Sequence, residues 1–468
     1  MKPCAGFGHC ALTTSDQMKD ECGLFGIFAP GEDVAHITYL ALYGLQHRGQ
    51  ESAGIASFQG EEFHIKKDVG LVSEVFDNYD MKSLEGHIAL GHVRYADHPG
   101  DKAANAQPLA FHHMWGRIAI AHNGSLVNGE ELRQKLSMSG VIFQTINDSE
   151  VMAHLLARNA QDNWENCLTK MMLDAKGGYS LLLMAKDRLI GLRDPKGIRP
   201  LCIGKLGEHY VLSSESCAFS VIGAQYIRDV YPGEIVTIDK NGLHSSRPFN
   251  EKPAFCIFEY VYIARPDSNF NGHTVSQVRR EFGRQLAKEY PVDADIVVPV
   301  PDSGVACALG YAEASGIPYT LGLLKNRYIG RTFIQPTQKM REQSVQIKLS
   351  PVHGELAGKR VVLVDDSIVR GTTMRDLVRL VKNAGAKEVY LVISSPQVKY
   401  GCYYGVATQK KELIGVTKSE EEVRQYLNAE GLHHLSSEGM LAATGQNPEH
   451  FCTACFSGDY PVAIPNLE

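Results

Sequence analysis

The sequence predicts two units in series: an α+β unit with antiparallel sheets over residues 22–250, then an α/β unit with a parallel sheet over 251–468. Two observations predict this. From residue 22 to about 245 run many short β-type stretches bounded by Gly, Pro and Asp, with helical stretches among them, as in an α+β unit. After about 250 the strands become wholly apolar and alternate with helices, which suits a parallel sheet buried on both faces. The length of 468 residues fits about three units at ~150 residues each.

Residues 1–21 are polar and small, without periodicity, and read as a disordered leader. The first unit offers the strands GLFGIF, IALGHVRY, IAIAHNG, YSLLLMA, EHYVLSS and GEIVTID, and helices at HITYLALYGLQHR and EVMAHLLARNA. In the second unit, ADIVVPVPDSGVACALGYAEASGIPY reads strand, loop, helix, turn. GKRVVLVDDSIVRGTTMRDLVRLVKNAGAKEVYLVISSP reads strand, loop, helix, Gly385, strand. Near the end SEEEVRQYLNA reads as a helix, opened by Ser419 with Glu422 three residues on, a capping box.

Composition excludes several classes. A hydrophobic share of 44% and a charged share of 21% are ordinary for a soluble globular chain. The net charge of −6 argues against a general nucleic-acid binder. No run approaches the ~18 apolar residues of a membrane span, and the first residues make a poor signal peptide. The 11 cysteines are odd in number and lack the spacing of a secreted disulfide scaffold. The expected compartment is the cytoplasm, where disulfides are rare.

The best local motif is VVLVDDSIVRGTT. A buried strand ends in Asp365 and Asp366, followed by Ser367, Arg370, Gly371, Thr372 and Thr373 and then a helix. Backbone N–H groups and the helix dipole converge at such a junction and favour an anion. The acidic pair would repel a phosphate, but it can grip ribose hydroxyls or a magnesium ion facing phosphate oxygens. A Walker A loop is absent. This pattern resembles the type I phosphoribosyltransferases. The resemblance implies that Ser367 to Thr373 hold the 5-phosphate of phosphoribosyl pyrophosphate, and that Asp365 and Asp366 face the ribose diol and Mg2+. It also implies that VPVPDSG, with Asp302 and Ser303, lies under the pyrophosphate, with Ser303 near the metal.

Between these loops, residues 325–348 carry six Lys/Arg against one acid, Glu342. A long irregular segment in a compact domain is more often a binding loop or lid than plain surface. Lys325, Arg327, Arg331 and Arg341 could close over a pyrophosphate leaving group and exclude water.

Cys22 opens the strand GLFGIF. A nucleophilic cysteine needs a base, and its own α-amine, with a pKa of ~7.7–8.0, serves only when free at a chain terminus. Cys22 could use it only if residues 1–21 were removed. Alone, a free cysteine in an apolar strand is usually core. Its neighbours change the reading: CGLFGIF, YGLQHRGQESAGIA, GHVRYA, AHNGSL, NDSE, DPKGIRPL and SSESCA follow in order. Together they resemble N-terminal-nucleophile (Ntn) glutamine amidotransferases. With the phosphoribosyl motifs behind them, the chain is similar over nearly its whole length to the amidophosphoribosyltransferase family, which performs the committed step of purine synthesis.

That resemblance implies an Ntn hydrolase fold for the first unit and a type I phosphoribosyltransferase fold for the second. Cys22 would attack the glutamine amide and form a thioester. Asn123 and the Gly124 N–H would stabilise the oxyanion. Arg94 would clamp the substrate carboxylate, Asp148 would take its ammonium, and Arg48 would organise the surroundings. Ammonia would pass inside the protein to the second site. Purine nucleotides would act as feedback inhibitors, and the chain would form a homo-oligomer, a tetramer. One departure from the family pattern follows GHVRY, where Ala96-Asp97-His98-Pro99 stands and changes the wall of the glutamine pocket.

FCTACF holds Cys452 and Cys455. Alone, Cys-x-x-Cys admits zinc, redox or iron–sulfur chemistry. The resemblance supplies two further thiols, Cys256 and Cys402, and with them a 4Fe–4S cluster on four cysteinates. A regulator that binds phosphoribosyl pyrophosphate without turnover would share the Asp-Asp loop but lack the glutaminase half. A glucosamine-phosphate synthase or asparagine synthetase would share that half but lack VVLVDDSIVRGTT.

Overall fold

In the computed structural model, which describes residues 22–95, 103–160, 163–326, 348–406, 408 and 413–465, GLFGIF forms the strand Gly23–Phe28. Successive side chains leave it on opposite faces. Phe25 and Ile27 pack against the helices Val34–Gly44 and Cys217–Ile222. Leu24 and Phe28 pack against a second sheet through Leu182, Met184 and Leu189. Gly26 shares that inner face, where a Cβ would stand 2.9 Å from the Leu189 side chain. Glycine there lets the two sheets approach.

The first sheet has seven antiparallel strands, with Gly23–Phe28 between His209–Ser213 and Ile88–Arg94. The second has six, with Arg188–Arg193 and Gly177–Ala185 at its centre and Gly116–Leu126 paired to the latter. The helices Gly129–Met138, Asp148–Arg158 and Trp164–Asp174 cover its outer face through Leu136, Val151, Leu155, Leu168 and Met171. The layers run helix, sheet, sheet, helix, as the expected Ntn arrangement of sandwiched antiparallel sheets requires.

The second unit holds a four-stranded parallel sheet in the order Ile296–Pro299, Arg360–Asp365, Glu388–Ile393, Gly431–His434. Val297, Val362, Val364 and Val392 enter one core, and Val298, Val361, Leu363 and Leu391 enter the other. Burial on both faces explains why these strands read as unbroken apolar runs. Ser419 and Glu422 form the expected capping box at the helix Glu420–Leu427. Phe255–Cys256 pairs in parallel with Phe451–Cys452, so the tail docks on the segment joining the two units.

Some elements differ from the sequence reading. The first helix ends at Gly44, so Gln46, His47 and Arg48 lie beyond it in turns rather than on its last turn. Gly129–Met138 and Trp164–Asp174 are helices that the apolar-run reading passed over. Glu259–Ile263, inside the apolar FCIFEYVYI, is a short π-helix. Among the described residues, no helix is long and apolar enough to cross a membrane.

Candidate active sites

Cys22 is half-buried and directly precedes the first strand, where Gly23 pairs with Val93. That register sets Cys22 beside Arg94, the last residue of Ile88–Arg94. Burial pushes the Cys22 thiol up, while the Tyr95 backbone and the charges of Arg94 and Arg48 pull it back down. Arg48 is fully buried. Its Nε donates to the Cys22 carbonyl at 3.1 Å. Its Nη1 donates to Glu215 and to Glu259 Oε2 at 3.0 Å, and its Nη2 donates to Glu259 Oε1 at 2.9 Å. Burial pulls the Arg48 pKa down, but Glu259 and Glu215 outweigh it and hold the guanidinium charged.

Asn123 and Gly124 lie on the second sheet, in Gly116–Leu126. Asn123 is fully buried, and among the described residues neither polar atom of its side chain has a hydrogen-bond partner. A buried orphan amide is costly and marks a place where a ligand would supply the partner. Gly124 has φ +124°, and a Cβ there would fall 2.1 Å from the Gly178 carbonyl, so only glycine fits. His92 Nε2 meets the His122 carbonyl at 3.2 Å and so links the two sheets beside Arg94 and Asn123. His122 Nδ1 meets Ser149 Oγ at 2.6 Å, and Ser149 donates to Gln107 at 2.8 Å. Burial, with the nearby Arg94 charge, lowers His122 to about 4. Burial and its charged neighbours lower His92 well below the usual imidazole range. Both rings are neutral near pH 7. Asp148 opens the helix Asp148–Arg158, capped by Asn147, and its Oδ2 accepts the Leu126 N–H at 2.9 Å.

In the second unit, Asp365 ends its strand and Asp366 begins the loop. Ser303 donates to Asp365 Oδ1 at 3.2 Å, the Asp366 N–H donates to the same oxygen at 2.9 Å, and Ser367 donates to Asp366 at 2.6 Å. Burial first, and the neighbouring Asp366 charge second, push Asp365 well above the usual carboxylate range. Burial pushes Asp366 up as well. Two such acids suit a divalent cation. Gly371, at φ +77°, precedes the helix Thr372–Asn383. Tyr262, Pro301, Asp365, Asp366, Ser367 and Thr373 line one cavity. Lys325 Nζ meets Asp302 at 2.7 Å, both exposed. Arg370 is half-buried in the same loop. Arg327, Arg331, Arg341 and the stretch Ala96 to Pro99 lie outside the described residues.

Cys256, Cys402, Cys452 and Cys455 line a single cavity with Arg199, Ile198, Phe258 and Tyr404. Burial pushes Cys256 and Cys452 up to about 12, and Cys455 well above its ordinary value. Four thiols in an apolar pocket beside one guanidinium are a soft, anionic donor set when deprotonated, and that donor chemistry fits an iron–sulfur group. A second group, His47, Glu215 and Cys217, has ligand atoms within 4.8 Å. There Glu215 already binds Arg48, His47, Ser268 and the Arg265 N–H, which leaves it poorly suited to a metal.

A glutamine amidotransferase domain model matches residues 92–221, and a phosphoribosyl transferase domain model matches 271–406. The chain is 48% identical over 454 residues to amidophosphoribosyltransferase of Bacillus subtilis, covering 96% of this chain and 95% of the relative. The chain belongs to the amidophosphoribosyltransferase family. The Synechococcus elongatus member is 47% identical over 462 residues, covering 97% of this chain and 94% of that one. The solved B. subtilis glutamine phosphoribosylpyrophosphate amidotransferase, complexed with ADP and GMP, superposes with a TM-score of 0.90 at 47% identity, covering 95% of this chain and 98% of that one.

For a member of the amidophosphoribosyltransferase family, the sequence motifs contain Arg48 and Arg94, which lie beside Cys22, and Ser303 and Asp366, which lie beside Asp365, but not what holds Arg48. Glu215 sits inside SSESCA and Glu259 inside FCIFEYVYI, and nothing local in either stretch marks it as a partner of Arg48. His92 and His122 stand inside GHVRYA and AHNGSL. Motif membership was their signal; their pairing is long-range and has none.

Proposed function

We propose that the chain converts glutamine, water and 5-phosphoribosyl 1-pyrophosphate into glutamate, pyrophosphate and 5-phosphoribosylamine, with Cys22 as the nucleophile. This is the first committed step of purine synthesis. The observation that carries the reading is the buried Arg48 fastened to the Cys22 carbonyl in a chain of this family.

Removal of residues 1–21 frees the Cys22 α-amine to act as base. The amine takes the thiol proton, and the sulfur attacks the glutamine Cδ. The carbonyl π pair moves to oxygen, where the Asn123 amide and the Gly124 N–H stabilise it. Arg94 pairs with the substrate carboxylate and Asp148 with its ammonium. Collapse of the adduct returns the proton to nitrogen, expels ammonia and leaves a thioester, which water cleaves to glutamate and free thiol. Ammonia that met bulk water would protonate, so an interior route to the second site keeps it nucleophilic. There it displaces pyrophosphate from C1 of the ribose.

Ser367, Arg370, Gly371, Thr372 and Thr373 cradle the 5-phosphate in this reading. Asp302, Ser303, Lys325, Arg327, Arg331 and Arg341 surround the pyrophosphate. Ser303, Asp365 and Asp366 would hold Mg2+, whose charge offsets that of the phosphate oxygens. Cys256, Cys402, Cys452 and Cys455 would hold a 4Fe–4S cluster, which ties the tail to the junction. An anaerobic preparation with about four irons per chain supports the cluster; stoichiometric zinc without iron overturns it. The same reading takes 22–250 and 251–468 as the two domains, purine nucleotides as feedback inhibitors, a tetramer as the assembly and the cytoplasm as the location.

The test is Cys22→Ala. Glutamine-dependent synthesis should fall at least about a thousandfold, while ammonia-dependent synthesis survives. Equal loss of both would sink the two-site reading.

A further inference from the structure

We propose that Glu259 is a positioning residue for the nucleophile, acting through Arg48 from the phosphoribosyl side of the molecule. The inference rests on the reading of Cys22 as that nucleophile. Once the leader is removed, Cys22 has one covalent tether, on its carbonyl side. The orientation of its amine and thiol then depends on what grips that carbonyl, and Arg48 Nε grips it at 3.1 Å.

Two acids share the other end of Arg48. Glu215 is divided among several donors: His47 at 2.9 Å, the Arg265 N–H at 2.9 Å and Ser268 at 2.7 Å, besides Arg48 itself. Glu259 gives both of its oxygens to the two terminal nitrogens of Arg48, at 2.9 and 3.0 Å. A two-point grip fixes the plane of a guanidinium, and with it the direction of Nε. Glu259 is fully buried, so water competes little for it. A second cation, Arg199, stands 3.6 Å from it and also lines the four-cysteine cavity.

The support of Glu259 comes from the second unit. Tyr260, Val261 and Ile263 of its short helix pack in the core formed by Val275, Phe282 and Val297. Arg279 holds both ends of that helix, donating to the Tyr260 carbonyl at 2.6 Å and the Ala264 carbonyl at 2.8 Å. The nucleophile of one unit is thereby aimed by a carboxylate seated in the other.

The experiment compares Glu259→Gln, Arg48→Gln and the double variant in the full, processed chain. Steady-state turnover with glutamine and alkylation of Cys22 by iodoacetamide are followed. Glu259→Gln should lower glutamine-dependent kcat and the alkylation rate by about tenfold or more, as expected for a misaimed reacting group, with little change in the glutamine KM. The double variant should be no worse than Arg48→Gln alone. Multiplicative losses in the double variant, or an unchanged kcat in Glu259→Gln, would overturn the inference. So would an equal fall in ammonia-dependent synthesis, the sign of a merely structural residue. If the Gln variant does not fold, Glu259→Asp carries the same measurements, because it keeps the charge but shortens the two-point reach. Cys22→Ala runs alongside: glutamine-dependent turnover in that variant would break the nucleophile reading itself, whatever Glu259 does.

Discussion

The two sites handle buried charge in opposite ways. Around Cys22, a fully buried Arg48 is matched by Glu215 and Glu259, and Glu215 is held well below the usual carboxylate range, its burial outweighed by His47 and Arg48. Around the phosphoribosyl loop, Asp365 and Asp366 lean on neutral donors, Ser303, Ser367 and a backbone N–H. Arg279 lowers Asp366 through its charge, while its Nε and Nη2 donate to the Tyr260 and Ala264 carbonyls. At the first site the buried cation is matched within the protein before substrate arrives. The second is left for the substrate and its cation to complete.

The largest test of that contrast is Arg48→Gln. It strands Glu215 and Glu259 without their cation, which should cost about 3–5 kcal/mol in the urea unfolding free energy at neutral pH. An unchanged midpoint would mean that the network is ornamental to stability.

A smaller effect comes from the neutral pair His92 and His122. The ordinary imidazole pKa of 6.5 falls to about 4 for folded His122. Below pH 6.5 the unfolded chain takes up a proton that the folded chain refuses, so stability drops as pH falls from 6.5 towards 4. His122 alone accounts for about 3 kcal/mol of that drop, and His92 adds in the same sense. His122→Asn should flatten the slope of midpoint against pH between those limits, even if it lowers the plateau.

The smallest stability effect has the opposite sign. Asp365→Asn removes one of two adjacent buried carboxylates and should raise stability by about 1 kcal/mol. Synthesis from either nitrogen source should nevertheless fall by about a hundredfold. A variant both less stable and less active would show that Asp365 is structural.

Legibility followed the same divide. The parallel strands were readable because burial on both faces leaves an unbroken apolar run, and the loop after Val364 because its chemistry is contiguous. GLFGIF was readable to the residue. The strand Glu62–Val69, EFHIKKDV, was not, because it is half-exposed and mostly polar. Trp164–Asp174 makes no unbroken apolar run; its signal is the helical spacing of Cys167, Leu168, Met171 and Met172, which periodicity, not run length, exposes. Of the first unit's candidates, Arg94 and Arg48 stand in motifs and beside Cys22. The grip on Arg48 joins residues 211 apart in sequence, and no local pattern records such a pairing.

The pairing of Phe255–Cys256 with Phe451–Cys452 has a consequence in time. A ribosome delivers residue 22 long before residue 452, and domains fold in the order they emerge. The carboxylate that grips Arg48, and the strand that pairs with Phe255–Cys256, arrive only with later parts of the chain. A product truncated before Glu259 would lack the carboxylate that fixes Arg48. The fold leaves the surroundings of the first strand to be completed by segments made later.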